Sequence, residues 1–327
     1  MTLATLRIPP WLPGSLGFQR ELTAFHRRQE TPRFGLLRTT GLTAALSRTW
    51  ERQRLGSRPA RAITTGFHYD FRSRERNVDA LRPIGADDDE SQVPITTLTG
   101  SVGATFEWEQ RVDRRGTLSP LAPEDGFRFE SQVSFASPYL LGQDTFVKVS
   151  VAGSRYWSLG PQLVLRADGR YDQGIPLGDA ALLPEVERFF AGGDATVRGY
   201  EDERLATEII QVGVPPIQNL SQFRILPAGG NIRALGSLDA QLRIYKFIAT
   251  AVFVDAGVIA NQWSTVTVDD VRPAAGVALV RLVTPFGVGA FERAIPFCLR
   301  QRDGICPRLG DDPRGRWHLS FAARAQF

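Results

Sequence analysis

Apolar and polar residues alternate with a period of two along most of this chain. Phe127, Phe129, Val133 and Phe135 interleave with Arg128, Glu130, Gln132 and Ser134, and Val147, Val149 and Val151 with Lys148, Ser150 and Ala152. Leu163, Leu165, Ala167 and Tyr171 oppose Arg166, Asp168 and Arg170, while Leu238, Ala240, Leu242 and Ile244 oppose Asp239, Gln241, Arg243 and Tyr245. Side chains two apart share one face of a strand, so each stretch predicts a strand with one oily and one polar side. The pattern places strands at about 16–28, 34–50, 60–72, 97–111, 126–136, 144–158, 161–172, 236–247, 249–258, 271–283, 286–294 and 316–327, with a further stub at 2–8.

A soluble sandwich alternates in the same way, with its apolar side turned to a core. Three features favour the inverted arrangement, with lipid outside and water inside. The strands are long, as tilted membrane-crossing strands of about 10 residues or more must be. Trp50, Trp108, Trp157, Trp263 and Trp317 fall near strand ends, where an interfacial girdle lies. The polar positions are often charged, which a wet lumen tolerates and a packed core does not. The expected fold class is therefore all-β, a transmembrane antiparallel β-barrel of the outer-membrane type. Short turns such as Ser158-Leu159-Gly160 and Thr284-Pro285 are expected on the periplasmic side. Longer connections at 73–96, 112–125, 173–235 and 295–315 are expected on the outer face.

Composition narrows the alternatives. Hydrophobic residues make up 43% of the 327, yet no apolar run approaches the roughly 18 residues of a membrane helix; the longest, Ile248 to Ala260, carries Asp255. Net charge is only +4, and all but Lys148 and Lys246 of the basic residues are arginine. They are scattered through the strands rather than blocked with aromatics, which argues against nucleic acid as a partner. Residues Met1 to Pro10 lack a basic start, an apolar segment and a small-residue cleavage site, so they do not read as a signal peptide. The two cysteines, Cys298 and Cys306, fit either a small disulfide in an oxidising compartment or two free thiols.

Chemistry is sparse. His26, His68 and His318 fall on separate strands without Cys or carboxylate at metal-ligand spacing, so no metal and no cofactor is expected. His318 and Ser320 share a strand face, as alternation commonly produces, and no enzymatic role is assigned to them. The acidic run Asp87-Asp88-Asp89-Glu90 reads as a solvated loop rather than a cation site.

The most distinctive segment lies in the long break between strands. Pro184-Glu185-Val186-Glu187-Arg188-Phe189-Phe190-Ala191 runs on into Gly192-Gly193-Asp194-Ala195-Thr196-Val197-Arg198-Gly199-Tyr200. Taken whole, it resembles the signature loop of the BamA/TamA superfamily of outer-membrane assembly and translocation proteins, the bacterial surface antigen type. Gly236 to Gly257, ending in Phe253-Val254-Asp255-Ala256-Gly257, looks like that family's Phe-x-Asp-x-Gly strand pair. Ala275-Gly276-Val277 through Pro285-Phe286-Gly287 resembles its next hairpin, and Trp317 to Phe327, with Leu319, Phe321 and Phe327, its C-terminal targeting strand. The likeness is strong in the C-terminal half and looser from 16 to 172.

The resemblance implies a barrel of about sixteen strands preceded by POTRA domains. It also implies that loop 173–235 folds into the lumen, where Arg198 meets Asp255. Gly192, Gly193 and Gly199 supply the backbone freedom a folded-back loop needs, with Val197 and Tyr200 beside the arginine. Gly257 leaves room on the partner strand, and a guanidinium can bridge a carboxylate bidentately. Two features depart from the family. The run Val288-Gly289-Ala290-Phe291-Glu292 replaces an expected proline and inward arginine, so the inward charge is reversed in sign. Ala322 or Ala323 stands where a glycine is common.

With twelve or thirteen strands and no POTRA domain recognisable, residues 1–327 are expected to form one barrel domain, incomplete at its N-terminal side, as part of a longer protein. A small self-contained barrel is the rival. The expected function is non-enzymatic: assembly, insertion or translocation of proteins at the Gram-negative outer membrane. Its partners would be outer-membrane lipid, client outer-membrane or secreted proteins, and the barrel-assembly machinery for its own insertion. A passive small-solute pore and a barrel anchor for a partner domain are the alternatives.

Overall fold

The computed structural model describes residues 2–8, 17–56, 59–76, 95–120, 122–178, 180–212, 222–245, 248–284, 287–297 and 315–323. The strands are β1 (Thr2–Ile8), β2 (Gln19–Thr31), β3 (Gly35–Arg52), β4 (Arg61–Arg76), β5 (Ile95–Glu109), β6 (Gly126–Ala136), β7 (Phe146–Ser158) and β8 (Leu163–Pro176). They continue with β9 (Thr207–Val212), β10 (Gln222–Pro227), β11 (Ile232–Tyr245), β12 (Ile248–Ala260), β13 (Arg272–Thr284), β14 (Gly287–Pro296) and β15 (Arg316–Ala323). Thirteen of these form a single antiparallel sheet in the order β1 to β8, then β11 to β15. Among the described residues β1 pairs with β2 and β15 with β14, so these two strands end the order.

The register turns the sequence pattern into two faces. Asp70, Arg74, Glu109, Asp172, Asp239, Asp255 and Glu292 are buried on one side. Leu46, Phe67, Val133, Leu238, Val252 and Leu282 are exposed on the other. Charges inside and bare apolar side chains outside is the reverse of a soluble protein, and it is what a membrane strand requires. Trp50 and Trp108, each opposite Ile63 of β4, and Trp157 lie toward one end of the sheet; Trp263 and Trp317 lie toward the other. Among the described residues no helix is long and apolar enough to cross a membrane.

Laid flat, thirteen strands would span about 60 Å. Instead the β8–β11 connection touches both halves of the sheet at once. Arg33, in the β2–β3 turn, donates to Glu185 at 3.1 Å and also contacts Glu208. Arg198, in the same connection, reaches Glu292 on β14. The sheet therefore curls around this segment, with its charged face concave.

The observed strands follow the expected ones within a few residues, and the 2–8 stub is a complete strand paired along its length with β2. Two expectations change. The β9–β10 hairpin lies inside the long connection and was not foreseen. The connection at 112–125 is not on the same end as the other long loops: it follows β5, whereas those after β4, β8 and β14 lie at the opposite end. Ala60 N donates to Gly116 O at 3.0 Å, and Arg114 contacts Pro161 O, which ties this loop to Ala60 ahead of β4 and to the 159–162 turn. Strand parity decides this, because each antiparallel crossing reverses direction; length had been the wrong guide. Cys298, Cys306, Phe327 and Asp87 to Glu90 lie outside the described residues.

Candidate functional site: the inward loop and its carboxylate cradle

The loop between β8 and β11 reverses sharply at Gly192, Gly193 and Gly199, with φ of 119°, 89° and 96°. An L side chain rarely adopts these angles, and at Gly192 a Cβ would also fall 2.1 Å from Glu201 O. The turn is closed from within: Thr196 Oγ1 accepts from Gly192 N at 2.7 Å and donates to Gly192 O at 2.9 Å. Ala191, Val197, Tyr200 and Leu205 pack with Ala274 of β13 into an apolar cluster inside the curl.

This packing presents Arg198 to β12. Its Nε donates to Asp255 Oδ2 at 2.7 Å and Nη2 to Asp255 Oδ1 at 2.7 Å, while its backbone N–H donates to the same carboxylate at 3.1 Å. Its guanidinium lies 3.3 Å from the centroid of the Phe253 ring, a close stacked approach. Phe253, Asp255 and Gly257 alternate on one face of β12, so a single strand supplies platform, counter-ion and clearance. Asp255 is only 1% exposed. At that burial it needs its partners, and Ser237 Oγ also donates to it at 2.7 Å.

Four further residues join the cluster. Glu292 of β14 accepts from Arg198 Nη1 at 3.1 Å and from Arg281 Nε at 3.0 Å. Arg281 of β13 forks onto Asp239 of β11 at 2.9 and 2.6 Å. His318 Nε2 accepts from Gly199 N at 3.2 Å. The reversed inward charge noted at Glu292 is thus matched by two arginines. Burial alone would lower the Arg198 pKa, but hydrogen bonds and charge from Asp255, then Glu292, outweigh it and raise it. Arg198 stays cationic.

Arg281 faces inward because of a bulge. The β13–β14 register shifts between Ala278 and Val280, so Leu279 and Val280 are both exposed and the alternation restarts with Arg281 inside. Under unbroken alternation from Ala278 this arginine would point at the apolar surface.

A second anchor lies at the start of the loop. Glu187, 5% exposed, accepts from Lys148 Nζ of β7 at 2.5 Å and Thr99 Oγ1 of β5 at 3.0 Å, and pairs with Arg74 of β4. Burial by itself would raise this carboxyl, yet Lys148 and Arg74 hold it at about 2. Glu185 bridges Arg33 and Arg76. Leu183 fills a pocket against Ala136 and Phe146. Beside Arg198 and Asp255 the concave face keeps a polar cavity of about 370 Å³, lined by Arg128, Glu130, Asp168, Arg170, Asp194 and Ser237 among others.

Of the residues singled out from sequence, Gly192 to Tyr200 and Phe253, Asp255 and Gly257 are brought together. Trp317 and Leu319 lie apart from them, exposed on the outer face, with Trp317 stacked on Phe291 at 4.8 Å. The side chain of Phe321 is not among those described. Among the described residues no three His, Cys, Asp or Glu side chains gather as a metal site.

Gly257 offers a direct check on the clearance. A Cβ there would fall 2.8 Å from Val197 Cγ2 and 2.7 Å from Leu205 Cδ2. Gly257→Val is expected to displace the turn and destabilise the protein by about 1–3 kcal/mol, read as a lower unfolding midpoint with faster proteolysis of the 177–231 connection.

A curled, outward-apolar antiparallel sheet clasping an inward loop by an arginine defines a barrel of the BamA/TamA type. The Omp85 superfamily domain matches residues 8–318, and the chain belongs to that superfamily. Its fold is similar to that of BamA from Haemophilus ducreyi lacking POTRA domains 1-3, at 16% identity and a TM-score of 0.61, covering 92% of this chain and 59% of that one. It also matches CdiB from Acinetobacter baumannii at 12% identity and a TM-score of 0.47, covering 93% of this chain and 46% of that one. This chain spans less than two thirds of the length of each.

Proposed function

We propose that this chain forms a barrel domain integral to the Gram-negative outer membrane, with the 177–231 connection held in its lumen, and that it inserts or translocates client polypeptides without enzymatic chemistry. The observation that carries this is the Arg198 clamp: a half-buried arginine with four side-chain hydrogen bonds fastens a glycine turn across β11, β12 and β14. A passive pore has no need of a plug secured by so many directed contacts. Client strands would join at a sheet edge by β-augmentation, where backbone groups supply the pairing and side-chain alternation the selectivity.

The test uses the native protein in phospholipid vesicles with an urea-unfolded eight-stranded outer-membrane protein as client. Folding of the client, followed by its gel-mobility shift, is expected to accelerate over empty vesicles. Steady conductance with no acceleration would overturn the reading in favour of a small-solute pore.

A further inference from the structure

Several strand glycines have an internal reason to be glycine. A Cβ on Gly41 would strike Phe25, one on Gly276 would strike Phe253, and one on Gly103 would strike His68. Gly153, Gly169 and Gly236 have none. A Cβ on Gly169 would meet nothing within 4 Å, on Gly236 only Asp168 O at 4.0 Å, and on Gly153 only Arg128 O at 3.6 Å. None of the three has a left-handed φ. Glycine weakens a strand interior, and where nothing inside explains it, close approach from outside does.

These glycines are direct neighbours: Gly153 pairs with Gly169 across β7–β8, and Gly169 with Gly236 across β8–β11. Asp168, Arg170 and Ser237, which flank them in sequence, point into the lumenal cavity, so the glycines take the outward phase. Gly153 and Gly169, with Ala167, floor a trough of bare backbone on the apolar surface. Phe129 stands opposite Gly153, and Trp108 opposite Phe129, forming an aromatic wall. The trough is an open groove of about 780 Å³. Arg155 stands at one end, between Phe127 and Ala167 and about 7 Å along β7 from Gly153. It is close to Trp157 and the strand's last residue, the depth at which headgroups lie. Its acidic neighbour is Asp125, a single contact at 3.5 Å that leaves a five-donor guanidinium able to take phosphate oxygens.

We propose that this trough is a phospholipid site, with acyl chain seated on the glycine floor against Phe129 and Trp108 and the phosphate on Arg155. The continuity of the trough with the exposed apolar face, and the cation at its end, select a lipid over a polypeptide. The inference rests on the reading that this face meets the bilayer.

The test is native mass spectrometry of the full chain released from phosphatidylglycerol nanodiscs, comparing wild type with Gly169→Leu, Arg155→Gln and, as a conservative control, Gly169→Ala. Insertion into the nanodiscs is scored first, by co-elution and gel-mobility shift. Failure to insert overturns both this site and the membrane reading. With insertion intact, wild type is expected to retain one lipid that Gly169→Leu holds about tenfold less well. Arg155→Gln is expected to weaken retention, and Gly169→Ala to change it little. Equal retention by all variants overturns the site alone. So does a result in which Gly169→Leu instead loses a stoichiometric second polypeptide while lipid retention is unchanged.

Discussion

Replacing Arg198 by alanine is expected to cost about 3–5 kcal/mol, because it strands a carboxylate that the fold has already desolvated. Asp255 would keep Ser237 and the backbone N–H of residue 198 as donors and lose the two guanidinium bonds that clamp the turn. Asp255→Ala is expected to do comparable damage from the other side, leaving the Arg198 guanidinium over Phe253 with Glu292 as its remaining close counter-ion. The double variant should cost little more than either single change, since the two residues lose the same contact. Unfolding midpoints of the four proteins in urea give the coupling directly. Additive losses would mean that the pair does not act as a unit. Glu292→Gln should be milder, because Arg281 keeps Asp239 and Arg198 keeps Asp255. Released turns should also expose the 177–231 connection to protease, which separates a freed loop from a merely weakened sheet.

The strands were legible because a membrane barrel writes its two solvents into the sequence at every second position. Phe129 against Glu130, or Val254 against Asp255, could be assigned a side without knowing any neighbour. The clamp was legible in part, through the glycine turn and the Phe-x-Asp-x-Gly strand, since both are local. What could not be read depends on register between distant strands. Arg281 has the phase of a lipid-facing residue until the bulge at Ala278–Val280 shifts it inward. His318 carries no role in the sequence reading, because a Ser/His pair on one strand face is a common product of alternation, yet it accepts from the turn's own backbone. Arg74, Thr99 and Lys148 lie on three strands far apart in sequence, and only the curl brings them to Glu187. The signal for that second anchor was present in the charged run Glu185 to Arg188, but its partners were not. The misplaced 112–125 connection shows the converse, a case where counting strand reversals would have served better than loop length.

The second anchor should respond to acid. Glu187 holds a proton only near pH 2 in the folded chain, against an ordinary 4.5. A carboxyl depressed on folding stabilises the fold above its unfolded value, and that contribution falls away as pH drops from about 4.5 toward 2. At neutral pH it amounts to about 3 kcal/mol. Cleavage of the connection by pepsin, active at these pH values, should therefore rise steeply below pH 4.5 in the wild type. Glu187→Gln removes the titrating group while keeping a side chain that can accept from Thr99. Its connection should already be loose at pH 7, to a protease active there, and should gain little further on acidification. Glu187→Ala should be worse, leaving Arg74 and Lys148 facing each other without a counter-ion. The 183–190 segment, which Glu187 fastens, should therefore lift on acidification. Cleavage confined to that segment at pH 3 would show two independent fastenings. Simultaneous loss of both ends would show that Glu187 and Arg198 hold a single rigid plug.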